Sequence, residues 1–181
     1  MVVQITTAAD ADLSELAAVA AATFPLACPA SAQAADIAAF IETNLSVTRF
    51  AEYLANPERA VLIARDDAAD RRILGYAMLI HGLPDDDADV RHAVTVLPSV
   101  ELSKMYVLPD SHGGAVSAAL MRAALDYSTA HGAASVWLGV NQQNQRAQRF
   151  YAKHGFAVAG VKTFRLGSGI EDDYVMVRPL D

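Results

Sequence analysis

Asn144-Gln145-Arg146-Ala147-Gln148-Arg149-Phe150-Tyr151-Ala152-Lys153-His154-Gly155-Phe156 is the stretch of this chain whose spacing says most. Asn144 is a helix cap, with a side-chain oxygen free to accept from a backbone N–H of the first turn. Ala147 and Tyr151 stand at i and i+4 and so share a face, and Gly155 is the residue type that ends a helix. The stretch therefore reads as a short helix from Asn144 to His154. Phe150 and Tyr151 are either ordinary core aromatics on its apolar face or part of a binding surface, and local spacing leaves both open. Ser135 to Val140, just before it, is a fully apolar strand, and closing strands follow at Val158 to Leu166 and Tyr174 to Val177.

Upstream, Pro109-Asp110-Ser111-His112-Gly113-Gly114 leads from an extended stretch into a helix that runs to about His131, with Gly132 as its C-cap. Strand, loop with adjacent glycines and helix aim several backbone N–H groups at one point, with the positive helix end behind them, which attracts phosphate. His112-Gly113-Gly114-Ala115-Val116-Ser117 matches neither GxxxxGK with Ser or Thr nor GxGxxG, so alone it is also a plain turn into a helix. The extended stretch is Val94 to Val107, interrupted by Pro98. Ala60 to Arg65 and Ile73 to Leu83 are strands around a polar turn, and Pro84-Asp85-Asp86-Asp87-Ala88-Asp89 reads as an acidic loop. The N-terminal part holds a strand at Val2 to Thr6, a helix from Asp10 to about Phe24 stopped by Pro25 and Pro29, and helices at about Ala34 to Leu45 and Val47 to Leu54. Antiparallel strands first, then strand, helix, strand, helix and strands, predict a mixed-sheet α+β fold in one domain over residues 1–181.

Composition narrows the function. The chain has 181 residues, 53% of them hydrophobic and 19% charged, too apolar for disorder and long enough for a real core. Alanine supplies 36 of them, so the apolarity means helix propensity more than bulk. Against 21 Asp+Glu stand 14 Lys+Arg, a net charge of -7, which argues against nucleic acid and favours a cationic or neutral small partner. A lone Cys28 excludes an internal disulfide or a Cys-based zinc cluster, and the histidines at 81, 92, 112, 131 and 154 show no metal-ligand spacing, so no metal is expected. No run approaches the ~18 apolar residues of a membrane span. A start of Met1-Val2-Val3-Gln4-Ile5 has no signal-peptide character, so a cytoplasmic address is the expectation.

The residues Asn144 to Phe156 fit N-x-x-A-x-x-F-Y-x-K-x-G-F, which resembles the acyl-CoA-side helix of the GNAT superfamily of N-acyltransferases. Ala22-Thr23-Phe24, Ile37 to Ile41, Tyr53-Leu54, Trp137-Leu138-Gly139-Val140 and Tyr174-Val175-Met176 further resemble the PaiA-type polyamine acetyltransferases. The resemblance implies a mostly antiparallel twisted sheet of about seven strands flanked by helices, and acetyl-CoA as cosubstrate. It also implies a central strand at Glu101 to Val107 whose backbone at Met105, Tyr106 and Val107 pairs with the pantetheine arm. The pyrophosphate would lie against His112, Gly113, Gly114, Ala115, Val116 and Ser117, and Asn144, Ala147 and Tyr151 would line the cofactor helix.

The chemistry so implied is direct attack of an amine on the acetyl thioester, with no covalent intermediate. An ammonium of lysine-like pKa costs about 4 to 5 kcal/mol to deprotonate at pH 7, at roughly 1.36 kcal/mol per pKa unit. Glu101, acting through a water, is the first candidate base and His81 the second, while Glu101 could equally be a solvated strand residue. Tyr151 is the candidate general acid for the departing thiolate, and a backbone N–H near Tyr106 or Val107 would hold the tetrahedral oxygen. Cys28 reads as a small hydrophobe. Asp85, Asp86, Asp87, Asp89 and the cluster Glu171-Asp172-Asp173 suit a polyamine or another small cationic amine, or are simply solvated. A protein or peptide N-terminal acetyltransferase and a non-catalytic acyl-CoA-binding regulatory domain are the competing functions. Val175 to Pro179 is either a strand pairing across the two-fold of a homodimer or a proline-ended edge strand.

Overall fold

The apolar periods of the sequence become thirteen main elements in the computed structural model, which describes residues 2–67, 70–111 and 114–181. In chain order they are β1 (Val3–Thr7), α1 (Leu13–Ala27), α2 (Ala34–Asn44), α3 (Val47–Ala55), β2 (Arg59–Asp66), β3 (Ile73–His81), α4 (Ala88–Ala93), β4 (Ser99–Val107), α5 (Ala115–Ala130), β5 (Ser135–Asn141), α6 (Gln145–Lys153), β6 (Ala157–Leu166) and β7 (Gly169–Pro179). The strands form one sheet in the order β1-β2-β3-β4-β5-β7-β6. All neighbours are antiparallel except β4 and β5, which are parallel because α5 carries the chain back between them.

Strand alternation gives the sheet two apolar faces. On one, Val100 and Leu102 of β4 and Val136, Leu138 and Val140 of β5 pack under Val116, Leu120, Met121 and Ala124 of α5. On the other, Ile63, Tyr76 and Met78 pack under Leu16, Val19, Ala20 and Phe24 of α1 and Phe50 and Tyr53 of α3. The buried α1 residues recur at i, i+3, i+4, i+7 and i+8, one stripe of a helix.

Four expectations change. The α1 helix passes through Pro25 to Ala27, because a proline in the last turn forfeits only one N–H bond. The supposed acidic loop contains α4: the Asp87 side chain accepts from the Val90 N–H at 3.0 Å and caps it, and Val90 is buried. Glu171 to Asp173 lie not in a loop but in β7, which is longer than the expected strand and starts at Gly169. Since β7 is paired with β5 on one side and β6 on the other, it is neither an edge strand nor free to pair across a two-fold; the sheet edges are β1 and β6.

Candidate active site

The parallel ladder between β4 and β5 is short. It joins Ser99 to Ser135, Val100 to Val136 and Glu101 to Trp137, and then ends. Just beyond, β4 bulges: Leu102 stands opposite Leu79 and Lys104 opposite Met78, leaving Ser103 as the extra residue. A bulge bends its strand, and here it turns β4 away from β5. A cleft of about 1050 Å³ opens between them, and the β4 backbone from Ser103 to Val107 presents its unpaired groups to it.

On the α5 and α6 side, the cleft is lined by Met105 and Val107 of β4, Gly114 and Ser117 at the start of α5, and Asn144, Ala147 and Tyr151. Gly114 is the N-cap of α5 with φ +77°, a left-handed conformation that glycine adopts without strain, and a Cβ there would meet nothing among the described residues within 4 Å. A helix N-terminus entered through a glycine and opening on the cleft fits a pyrophosphate. Ala115 does not line the cleft, and Val116 turns into the core. His112 and Gly113 lie outside the described residues. Asn144 caps α6, its Oδ1 accepting from Ala147 N–H at 3.1 Å, which leaves its amide NH₂ for a ligand. Tyr151 is half-buried, and burial pushes its phenol up to about 12.

On the opposite side of the sheet, toward α1 and α2, the cleft is lined by Glu101, Lys104 and Tyr106 of β4, Gly139 of β5, Lys162 and Phe164 of β6 and Asp173 of β7. Phe24 stacks on Phe40 at 4.4 Å and meets Tyr106 edge-on at 6.5 Å, walling this end. Burial raises the Glu101 carboxyl from its ordinary value against the opposing pull of Lys104, Lys162 and Arg59. Asp173, 8% exposed, is raised by burial to about 6, and Lys104 is lowered by burial to about 8. Tyr106 is raised by burial first and then by the charges of Tyr151, Cys28 and Asp173, which line the same cleft.

The second candidate base is elsewhere. His81 places Nε2 3.1 Å from the Tyr127 hydroxyl and packs against the His131 ring, outside the cleft lining. Cys28 does line the cleft, but burial raises its thiol and its Sγ donates to the Phe24 carbonyl at 3.4 Å, which suits packing and not a thiolate nucleophile. Among the acidic residues before α4, Asp85 pairs with Arg91 at 3.3 Å and Asp87 caps α4. Lys104 and Lys162 are cleft residues that the sequence did not single out, and Asp173 is the one member of its acidic cluster that is buried.

The chain is 57% identical over 169 residues to an uncharacterised N-acetyltransferase of Mycobacterium tuberculosis (strain ATCC 25618 / H37Rv), a match covering 93% of this chain and 98% of the relative. Its fold is similar to that of PaiA N-acetyltransferase from Thermoplasma acidophilum in complex with coenzyme A, with a TM-score of 0.74 and 21% identity over 99% of this chain and 100% of that one. It is also similar in fold to the ribosomal-protein-S18-alanine N-acetyltransferase of Escherichia coli, with a TM-score of 0.69 and 19% identity over 99% of this chain and 95% of that one. No helix among the described residues is long and apolar enough to cross a membrane. The model of the Acetyltransferase (GNAT) family matches residues 28–156, and with the cleft where β4 parts from β5 it identifies the chain as a member of that family and an acyltransferase.

Proposed function

We propose that the protein moves an acetyl group from acetyl-CoA to the primary amine of a small acceptor, by direct attack within a ternary complex. One observation carries the reading: one cleft passes through the sheet, with the α5 N-terminus and α6 on one side and two carboxylates, the half-buried Glu101 and the buried Asp173, on the other. A nucleotide thioester and an amine can then meet at the β4 backbone without either crossing the other. The neighbour in complex with coenzyme A supports the first half of this, since Gly114 and the free β4 edge fit the same cosubstrate.

In this reading Gly114 and the first turn of α5 hold the pyrophosphate by backbone N–H groups, and Ser117 lines the same end. The backbone of Met105, Tyr106 and Val107 and the Asn144 amide hold the pantetheine arm. A β4 backbone N–H near Tyr106 donates to the oxygen of the tetrahedral intermediate. Glu101, its carboxyl raised by burial and so a stronger base than an exposed carboxylate, takes the amine proton through a water. Tyr151 stays protonated across neutral pH and donates to the sulfur as the thiolate departs.

The test is thiol release from acetyl-CoA over a panel of alkylamines, polyamines, amino acids and peptides with free N-termini. Polyamines belong in it because the chain carries 21 Asp+Glu against 14 Lys+Arg. Turnover with at least one small amine is the expected result. Turnover with peptides alone would make this a protein N-terminal acetyltransferase, and tight acetyl-CoA binding without transfer to any acceptor would make it a regulatory binding domain.

A further inference from the structure

Four charged side chains meet on the acceptor side of the cleft, two of each sign: Glu101 and Asp173, Lys104 and Lys162. The fold brings them together by register. The bulge at Ser103 restores Glu101 and Lys104 to one face of β4 although they are three residues apart. Lys162 and Asp173 are direct partners across the β6–β7 ladder. Both lean over Gly139, where an added Cβ would lie 3.3 Å from Asp173 Oδ2 and 3.4 Å from Lys162 Cε.

The four feel one another's charge but form no ion pair within 4.0 Å. The ion pairs among the described residues are made by Arg49, Arg65, Arg72 and Arg91 with other acids, and none includes any of these four. Neither the Glu101 nor the Asp173 carboxylate has a hydrogen-bond partner among the described residues, and the lysine ammonium groups make only 3.5 Å contacts, Lys104 to Ser103 Oγ and Lys162 to the Thr163 carbonyl. Asp173 is buried without a donor and Lys104 is desolvated without a carboxylate within ion-pair distance, and each is costly to keep. A polycation would relieve the two acids that line the cleft while adding repulsion at the two lysines, so it cannot pair all four.

Resting on the transfer reading above, we infer that the acceptor is a zwitterion, a small primary amine that carries its own carboxylate. Its amine lies against Glu101 and Asp173, and its carboxylate accepts hydrogen bonds from Lys104 and Lys162. The lysines lie across the sheet from Gly114, so the anion they face is the acceptor's and not the pyrophosphate. An acceptor with both signs pairs all four groups, and one that lacks either sign leaves two of them unpaired inside the cleft.

The experiment compares kcat/KM at pH 7 for the α-amino acids and for ω-amino acids of two to six carbons with that for alkylamines and diamines of equal length. At least one amino acid is expected to exceed its matched alkylamine and diamine by tenfold or more. Lys162→Met and Lys104→Met should each cut that ratio at least tenfold, while Lys162→Arg retains most of it; acetyl-CoA affinity measured by calorimetry for each variant shows that it is folded. Alkylamines or diamines matching or outrunning every amino acid would overturn the zwitterion and leave acetyl transfer standing. An absence of thiol release with every amine would overturn the transfer reading and the zwitterion with it.

Discussion

Asp173 carries a conflict between stability and binding within one carboxyl group. Folding raises it from its ordinary value of 3.8 to about 6, so it holds its proton more tightly in the folded chain. Ionisation therefore opposes folding in full above about pH 6, and the cost fades as the pH falls from there to the ordinary value of 3.8. At roughly 1.36 kcal/mol per unit the shift is worth about 3 kcal/mol before solvent screening, so Asp173→Asn should be more stable than the parent by about 1 to 2 kcal/mol at pH 7, with the gap closing toward pH 4. Thermal unfolding across that range measures it, and a gap independent of pH would refute the assignment. The same variant should lose amine turnover, the usual exchange of function for stability at a binding site. Lys104, lowered to about 8, has the opposite sign: its charge disappears as the pH rises through that value. The preference for amino acids over alkylamines should thus fall several-fold between pH 7 and 9, and Lys104→Arg should abolish the fall, since guanidinium stays charged. Tyr151→Phe should lower kcat by about 10² while changing acetyl-CoA affinity little, in the range for a lost general acid. Equal kcat for the two proteins would remove Tyr151 from the chemistry.

Strands and helices differ in how openly the sequence announces them. The α6 helix was legible because its signals are local: Asn144 caps, Gly155 terminates with φ +85°, and both act within one turn. The α4 helix was hidden because Asp85-Asp86-Asp87 looks like solvated charge, and only the buried Val90 three residues after its Asp87 cap marks a helix start. The acceptor side was hidden for a different reason. Glu101 and Lys104, three apart on a strand, should face opposite ways, and the bulge that reverses this comes from the register of β4 on β3. Lys162 and Asp173 are paired by a ladder that no short-range pattern encodes. Close strand approach gives a check at this scale. A Cβ on Gly75 would lie 2.6 Å from the Tyr106 carbonyl oxygen, so Gly75→Ala must push β4 off β3. It should cost roughly 1 to 3 kcal/mol, as overpacking does, and weaken acetyl-CoA binding with it. Urea unfolding and calorimetry together test this, and unchanged stability would show that the strands yield freely.

For the molecule as a whole, the sheet is the wall shared by two cores. Leu16 of α1 and Leu120 of α5 are both fully buried, on opposite faces. Leu16→Ala and Leu120→Ala should each cost about 2 to 5 kcal/mol. Their effects should add within about 0.5 kcal/mol, because they share no contacts. Two separate unfolding transitions would mean that the faces melt independently. The break between β4 and β5 bears on the same wholeness. A sheet with a seam that stops at Glu101 and Trp137 is an unfinished fabric, and a pantetheine arm laid along Ser103 to Val107 would be its missing thread. Occupancy would then be a final act of folding, legible in the slowing of amide hydrogen exchange along that one stretch of β4 before any product is made.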